Sequence, residues 1–204
     1  MDELLLFSLS ALWVVVFVNL ALTFRLVRWV VGQKEMRLRF LGGGPGLTEG
    51  APAPAFRART LAGRPVSLDD YAGQRVVLVF SSPFCDRCRR EMPTLLALAR
   101  QAKAHADTTI VVVSDADITT TEVWLATMRA EDGVSVDLPI LVAPTTESTF
   151  TIDYNPLSAI PFFCLIDPAG TVAARGLVGK EEWAQLVRTW EGRTQLAPWM
   201  AHQH

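Results

Sequence analysis

Two cysteines three residues apart, Cys85 and Cys88, stand in the stretch SSPFCDRCRREMP, in a chain whose only other cysteine is Cys164. On a helix, side chains at that spacing share a face with Cβ atoms about 5 to 6 Å apart, and a modest adjustment in the first turn brings the sulfurs to disulfide distance. A reversible bond is geometrically easy. A cysteine at the start of the helix also meets unpaired backbone N–H groups and the positive end of the helix dipole, which favour its thiolate. Cys88, one turn further in, feels less of both. The asymmetry assigns roles: Cys85 attacks a disulfide or accepts attack, and Cys88 resolves the mixed disulfide. Asp86 opposes a negative sulfur at Cys85, whereas Arg87, Arg89 and Arg90 favour one.

Two blander uses of the pair fare worse. A bracing disulfide between residues three apart closes so small a loop that it restricts the unfolded chain little. Half of a zinc site needs two further ligands at short spacing, and Cys164, His105, His202 and His204 form no second ligand pair. The sequence therefore favours redox chemistry, with no metal and no cofactor.

The elements that must hold such a pair are legible around it. RVVLVF, Arg75 to Phe80, is a continuous β-branched apolar run, as expected of a strand buried on both faces. After the cysteines, Cys88, Met92, Leu95, Ala99 and Ala102 recur at helical steps and make one inward stripe. TIVVVS (Thr109 to Ser114) and LPILVA are further strands; between them Thr119 to Thr121 offer capping hydroxyls for a helix over Val123 to Ala130. FRARTLAGRPVSL reads as a hairpin turning at Ala62-Gly63, and FFCLID with TVAARGLV as another. A short helix is expected around Thr146 to Tyr154, and an amphipathic one from Lys180 to Trp190. The order predicts an α/β domain with a central mixed sheet flanked by helices, its chemistry at the carboxyl ends of the parallel strands.

Composition bounds the rest. The chain has 204 residues, enough for one ordinary domain plus an extension, and its net charge of -2 carries no strong field toward nucleic acid. A mean hydropathy of +0.26 points to one greasy segment. LLLFSLSALWVVVFVNLALTF, Leu4 to Phe24, has no charge and is long enough as a helix to cross about 30 Å of hydrocarbon. Asp2 and Glu3 precede it and no small-residue cleavage site follows, so it reads as a transmembrane anchor rather than a cleaved signal peptide. Arg25, Arg28, Lys34, Arg37 and Arg39 all follow the span, which by the positive-inside rule alone would keep the domain in the cytoplasm. The glycines and prolines from Gly42 to Pro54 break any helix. The expected organisation is an anchor over 1–31, a linker over 32–54, the catalytic domain over 55–191 and a tail over 192–204.

Taken together, FCDRCRREMP and AIPFF resemble a thioredoxin-like fold: a Cys-x-x-Cys pair opening a helix, a helix proline at Pro93, and an Ile-Pro before a later strand. With EGAPAPAF, SSPFCDRC, VVVSDAD, IPFFCLIDPAG and ARGLV, the chain more closely resembles the membrane-anchored MauD proteins of methylamine utilisation, within the redoxin and TlpA/ResA-like group. The resemblance implies a cis bond before Pro161, leaving Ile160 free to bond an extended client. Pro83, Phe84, Ile160 and Pro161 would then frame the substrate groove. It also implies a thiol-disulfide oxidoreductase working outside the cytoplasm, where disulfides persist. Its partners would be a client protein carrying a disulfide or dithiol, such as the small subunit of methylamine dehydrogenase, and an unidentified electron donor or acceptor.

Two positions depart from the thioredoxin pattern: Phe84 stands where a tryptophan is usual, and Val79 where a buried carboxylate is usual. Asp115 and Asp117 are the nearest substitutes, although both read first as loop-end or capping residues. Two rival functions remain in view. A peroxiredoxin-type peroxidase finds Ser82 three residues before Cys85, but Leu78 where a proline is needed. A copper-binding chaperone of the same fold would need a nearby histidine, and the domain holds only His105.

Overall fold

The structure is a computed structural model that describes residues 47–191 and, in the N-terminal unit Met1–Gly44, positions 13, 16, 19, 20, 22, 23 and 25. Those N-terminal positions are helical and exposed, with Thr23 Oγ1 donating to the Asn19 carbonyl at 2.8 Å. The rest of the expected anchor, the linker up to residue 46 and the tail over 192–204 lie outside the described residues. Among the described residues, no helix is long and apolar enough to cross a membrane.

The second unit is built on one mixed sheet of seven strands: β1 (Arg57–Thr60), β2 (Pro65–Ser67), β3 (Arg75–Ser81), β4 (Thr108–Ser114), β5 (Ile140–Val142), β6 (Phe162–Ile166) and β7 (Val172–Leu177). Their order across the sheet is β2-β1-β5-β4-β3-β6-β7; β3, β4 and β5 run parallel, and the remaining pairs are antiparallel. The helices are α1 (Asp86–Ala106), α2 (Ile118–Glu131), α3 (Phe150–Tyr154) and α4 (Glu181–Trp190). Both hairpins and every strand and helix expected from Phe56 onward are present in this order.

β3 lies near the middle because both of its faces are apolar. Val77 and Val79 point to one side, into a core with the α1 stripe, Trp124 and Met128 of α2, and Trp183, Leu186 and Trp190 of α4. Val76, Leu78 and Phe80 point to the other, where they meet Phe56, Phe150, Tyr154 and Cys164. The period of two thus separates Cys88 and Cys164 onto opposite faces of the sheet. Cys164 is fully buried, and burial raises its thiol far above the ordinary cysteine range.

Two local expectations are corrected. Helix α2 starts before the threonines, and its cap is Asp117, whose carboxylate accepts from the Thr120 N–H at 2.7 Å. Thr121 instead faces inward, bonded to the Asp117 carbonyl and to Ser114 Oγ, because a hydroxyl buried at the end of β4 needs partners. Second, residues 50–53, expected in the linker, are fastened to the domain. Gly50 N–H donates to Val172 O at 2.8 Å, Val172 N–H to Ala51 O at 2.9 Å, and Ala53 N–H to Gly170 O at 2.8 Å. Leu47 just ahead of them is buried as well. Backbone groups at the start of β7, an edge strand, and in the turn before it are what this segment satisfies.

Candidate active site

Strand β3 delivers the chain to the site. After Ser81 the backbone turns through Ser82, Pro83 and Phe84, closed by the Cys85 N–H donating to Ser82 O at 3.1 Å and the Phe84 N–H to Ser82 Oγ at 3.4 Å. Cys85 is the residue that caps α1. Its backbone is extended (φ -109°, ψ 103°), its carbonyl accepts the first helical bond from Arg89, and its sulfur accepts the Cys88 N–H at 3.1 Å. A serine or aspartate oxygen usually fills this role; here the acceptor is a sulfur. An N–H aimed at the sulfur stabilises negative charge on it, as does the rest of the helix terminus.

Cys88 differs in every respect. It is 2% exposed, at the head of the apolar stripe, while Cys85 is half-buried on the rim of the same core. Burial, and then a hydrogen bond with Cys85, push the Cys88 thiol up to about 12, against the opposing pull of Ser82 and Ser81. The two sulfur-bearing side chains therefore face each other, one reachable from solvent and the other sheltered. All three cysteines are free thiols.

The second wall of the site comes from the other hairpin. β6 begins with Phe162 opposite Phe80 of β3, so Pro161, one residue earlier, stands beside the point where the cysteine turn leaves the sheet. The Ile160-Pro161 peptide is cis. Ile160 is partly buried against the core that also carries Cys85. Phe84 is 83% exposed, the most exposed large apolar side chain among the described residues, and Pro83 beside it is half-buried. Cys85, Cys88, Pro83, Phe84, Ile160 and Pro161 thus gather at the carboxyl end of β3.

The reading of the nearby arginines changes. Arg89 is held across α1 and the end of α2 by Asp132 at 2.6 Å and Glu131 at 2.7 Å, and Arg87 donates to the Val178 carbonyl at 2.7 Å; neither side chain bonds the Cys85 sulfur. Val79 is buried in the apolar core, so no acid or base stands at that position. Asp117 is taken up by capping. Asp115 is different: its N–H donates to Ser81 O at 3.3 Å, its carboxyl is hydrogen-bonded to Ser82, and burial raises it above the ordinary carboxylate range against that bond. Sequence reasoning placed it at a loop end and had no signal for its meeting with Ser82, a contact between two neighbouring strand ends.

Pro93 lies inside α1 on its exposed side, and its missing N–H removes the helical bond to the Arg89 carbonyl. His105 sits at the far end of that helix, about 25 Å from Cys88 and about 30 Å from Cys85 at 1.5 Å per residue. Among the described residues, no group of three or more His, Cys, Asp or Glu is placed to hold a metal ion.

Comparison with known proteins fits this geometry. The Redoxin family model matches residues 48–187. Thioredoxin-like protein YneN of Bacillus subtilis (strain 168) is 34% identical over 128 residues, covering 62% of this chain and 70% of that protein. Thiol-disulfide oxidoreductase ResA of Bacillus cereus is 28% identical over 137 residues, covering 67% and 73%. The solution structure of a thiol:disulfide interchange protein from Bacteroides sp. superposes with a TM-score of 0.55 at 25% identity, covering 78% of this chain and 97% of the other. With a family model spanning the whole sheet and the cysteine helix, the chain belongs to the Redoxin family, within the thioredoxin-like superfamily.

Proposed function

We propose that this chain is a membrane-tethered thiol-disulfide oxidoreductase in which Cys85 is the attacking thiolate and Cys88 the resolving thiol. One observation carries the reading: Cys85 caps α1 with the Cys88 N–H on its sulfur at 3.1 Å, half-exposed, while Cys88 is buried behind it. In the reducing direction the Cys85 thiolate attacks one sulfur of a client disulfide, forming a Cys85–client disulfide and releasing the other client sulfur as a thiolate that takes up a proton. Cys88 then loses its proton and attacks Cys85, closing Cys85–Cys88 and releasing the second client thiol. The client gains two electrons and the pair loses two, so a separate dithiol donor must reduce the pair again. Run backwards, the same steps oxidise a client dithiol.

Phe84 and Pro83 form one wall of the client groove, and Ile160 and Pro161 the other. The names of the relatives, thiol-disulfide oxidoreductase and thiol:disulfide interchange protein, support the activity. Residues 1–31 form the anchor, 32–46 the tether, 47–191 the catalytic domain and 192–204 a tail. The domain works outside the cytoplasm, since large domains translocate despite basic flanks and disulfides persist there. Resemblance to MauD supports a disulfide-rich client such as the small subunit of methylamine dehydrogenase.

Expressed in cells, Cys88→Ser is expected to accumulate a reductant-sensitive adduct in the membrane fraction, because the mixed disulfide can no longer be resolved. The adduct should vanish in the Cys85→Ser/Cys88→Ser double variant and be cleaved by a membrane-impermeant phosphine reductant added outside the cells. An adduct through Cys164, or none at all, would defeat the assignment of roles; an adduct shielded from the reagent would defeat the topology.

A further inference from the structure

Arg87 sits between the two cysteines, yet its side chain reaches away from them. Its Nη2 donates to the carbonyl of Val178, 91 positions along the chain, at 2.7 Å. The N–H of that same Val178 donates to the carbonyl of Pro161 at 3.0 Å. One buried residue at the end of β7 thus receives the first turn of α1 on one side and holds the cis-proline segment on the other. The turn that follows is shaped to admit the guanidinium: Lys180 N–H closes it on Leu177 O at 3.1 Å, and Gly179 has φ +79°. A side-chain carbon at Gly179 would lie 3.2 Å from Arg87 Nη2, too close for the bond to persist undisturbed.

We propose that Arg87 is a positioning residue that fixes the spacing of the client groove by tying the wall that carries Phe84 and Cys85 to the wall that carries Ile160 and Pro161. This rests on the groove described above. A charge-assisted bond to a buried carbonyl is both stronger and more directional than a neutral one, and Arg has the reach to make it from the helix surface. The bond leaves the Cys85 sulfur to the backbone N–H of Cys88. The clamp therefore governs how an extended client seats, not how readily the sulfur attacks.

The test compares two disulfides with the same leaving group. One is 5,5′-dithiobis(2-nitrobenzoic acid), which is small; the other is an unstructured peptide of about ten residues whose single cysteine is linked to 2-nitro-5-thiobenzoate. In each case the Cys85 thiolate of the pre-reduced chain forms a disulfide with the substrate sulfur and expels the coloured thiolate, and Cys88 then closes on Cys85 and releases the other half. The dependence of this single turnover on substrate concentration, read from absorbance with the full chain in detergent, gives kcat and KM in their single-turnover sense. Arg87→Met should raise KM for the peptide, lowering kcat/KM about tenfold, the factor that matches one charge-assisted hydrogen bond. On the small disulfide it should change kcat/KM less than twofold. Arg87→Lys, which keeps a donor, should recover part of the loss.

Gly179→Ala, which crowds Arg87 Nη2 and also strains a turn held at φ +79°, should lower kcat/KM for the peptide with Arg87 intact while leaving the small disulfide within twofold. An equal loss on both disulfides, or no loss on the peptide, overturns the proposal. If Arg87→Met fails to fold, Arg87→Lys and Gly179→Ala carry the same comparison. A wild-type chain that handles the peptide no better than the small disulfide would sink the groove itself, an outcome visible before any variant is made.

Discussion

Cys85→Ser should abolish disulfide exchange, lowering the rate by on the order of 10³-fold or more, while leaving the fold as stable as before or slightly more so. A hydroxyl is not ionised at neutral pH, and neither remaining thiol can take over. Cys88 is 2% exposed and pushed up to about 12, and Cys164 is buried on the opposite face of the sheet. The stability half of the prediction follows from capping. Serine is among the best N-cap residues, and its oxygen inherits the Cys88 N–H that the sulfur accepts at 3.1 Å. Turnover of a disulfide substrate and a thermal melt of the same preparation measure both halves. A variant that loses activity because it has unfolded would show instead that Cys85 is needed for structure.

The second large effect is structural and lies on the other side of the sheet. Phe150 of α3 is 1% exposed, stacked on Phe56 at 4.0 Å and 7°, and edge-on to Phe80 at 5.4 Å and to Tyr154 at 5.1 Å. This aromatic cluster joins α3 to β3 and to the start of the domain, where Tyr154 Oη also donates to Pro54 O at 2.6 Å. Phe150→Ala removes the ring at its centre, and a five-residue helix has little else to hold it. The expected cost is about 3 to 5 kcal/mol, a large part of the stability of an ordinary domain and roughly 10 °C in Tm. Urea titration should show a lower midpoint. Below the transition, exchange through Cys85 should be unaffected, because the cluster and the cysteine helix sit on opposite faces. A loss under about 1 kcal/mol would mean that this face is not a packed core.

Most of the frame was legible because its signals are periodic. The buried stripe of α1 is the set Cys88, Met92, Leu95, Ala99 and Ala102 that the sequence spacing picks out, and the continuous run in β3 is buried on both faces. The cis bond at Pro161 followed from resemblance, not from any local pattern. What the sequence could not show is where long polar side chains end. Arg87 and Arg89 read as supports for a thiolate, but their hydrogen bonds go to Val178, Glu131 and Asp132, which lie 42 to 91 positions away. Asp115 read as a loop end, and only the pairing of β3 with β4 brings it to Ser82. The segment before Pro54 read as a linker because glycine and proline break helices, yet the same residues can lie against the start of β7 and the turn before it and satisfy backbone groups there. Periodicity reports which face is buried; it is silent on partners fixed by tertiary contact.

The claim on which the rest depends is that Cys85 and Cys88 form a reversible redox pair. Equilibrating the full chain with graded ratios of reduced to oxidised glutathione, quenching with acid and a thiol reagent, and mapping the peptides by mass reads this directly. The expected result is a single two-electron transition, about 30 mV per tenfold change in the equilibrium constant, in which Cys85 and Cys88 become linked while Cys164 stays a free thiol. Cys85 held only as a mixed disulfide with glutathione, or linked to Cys164, would contradict it.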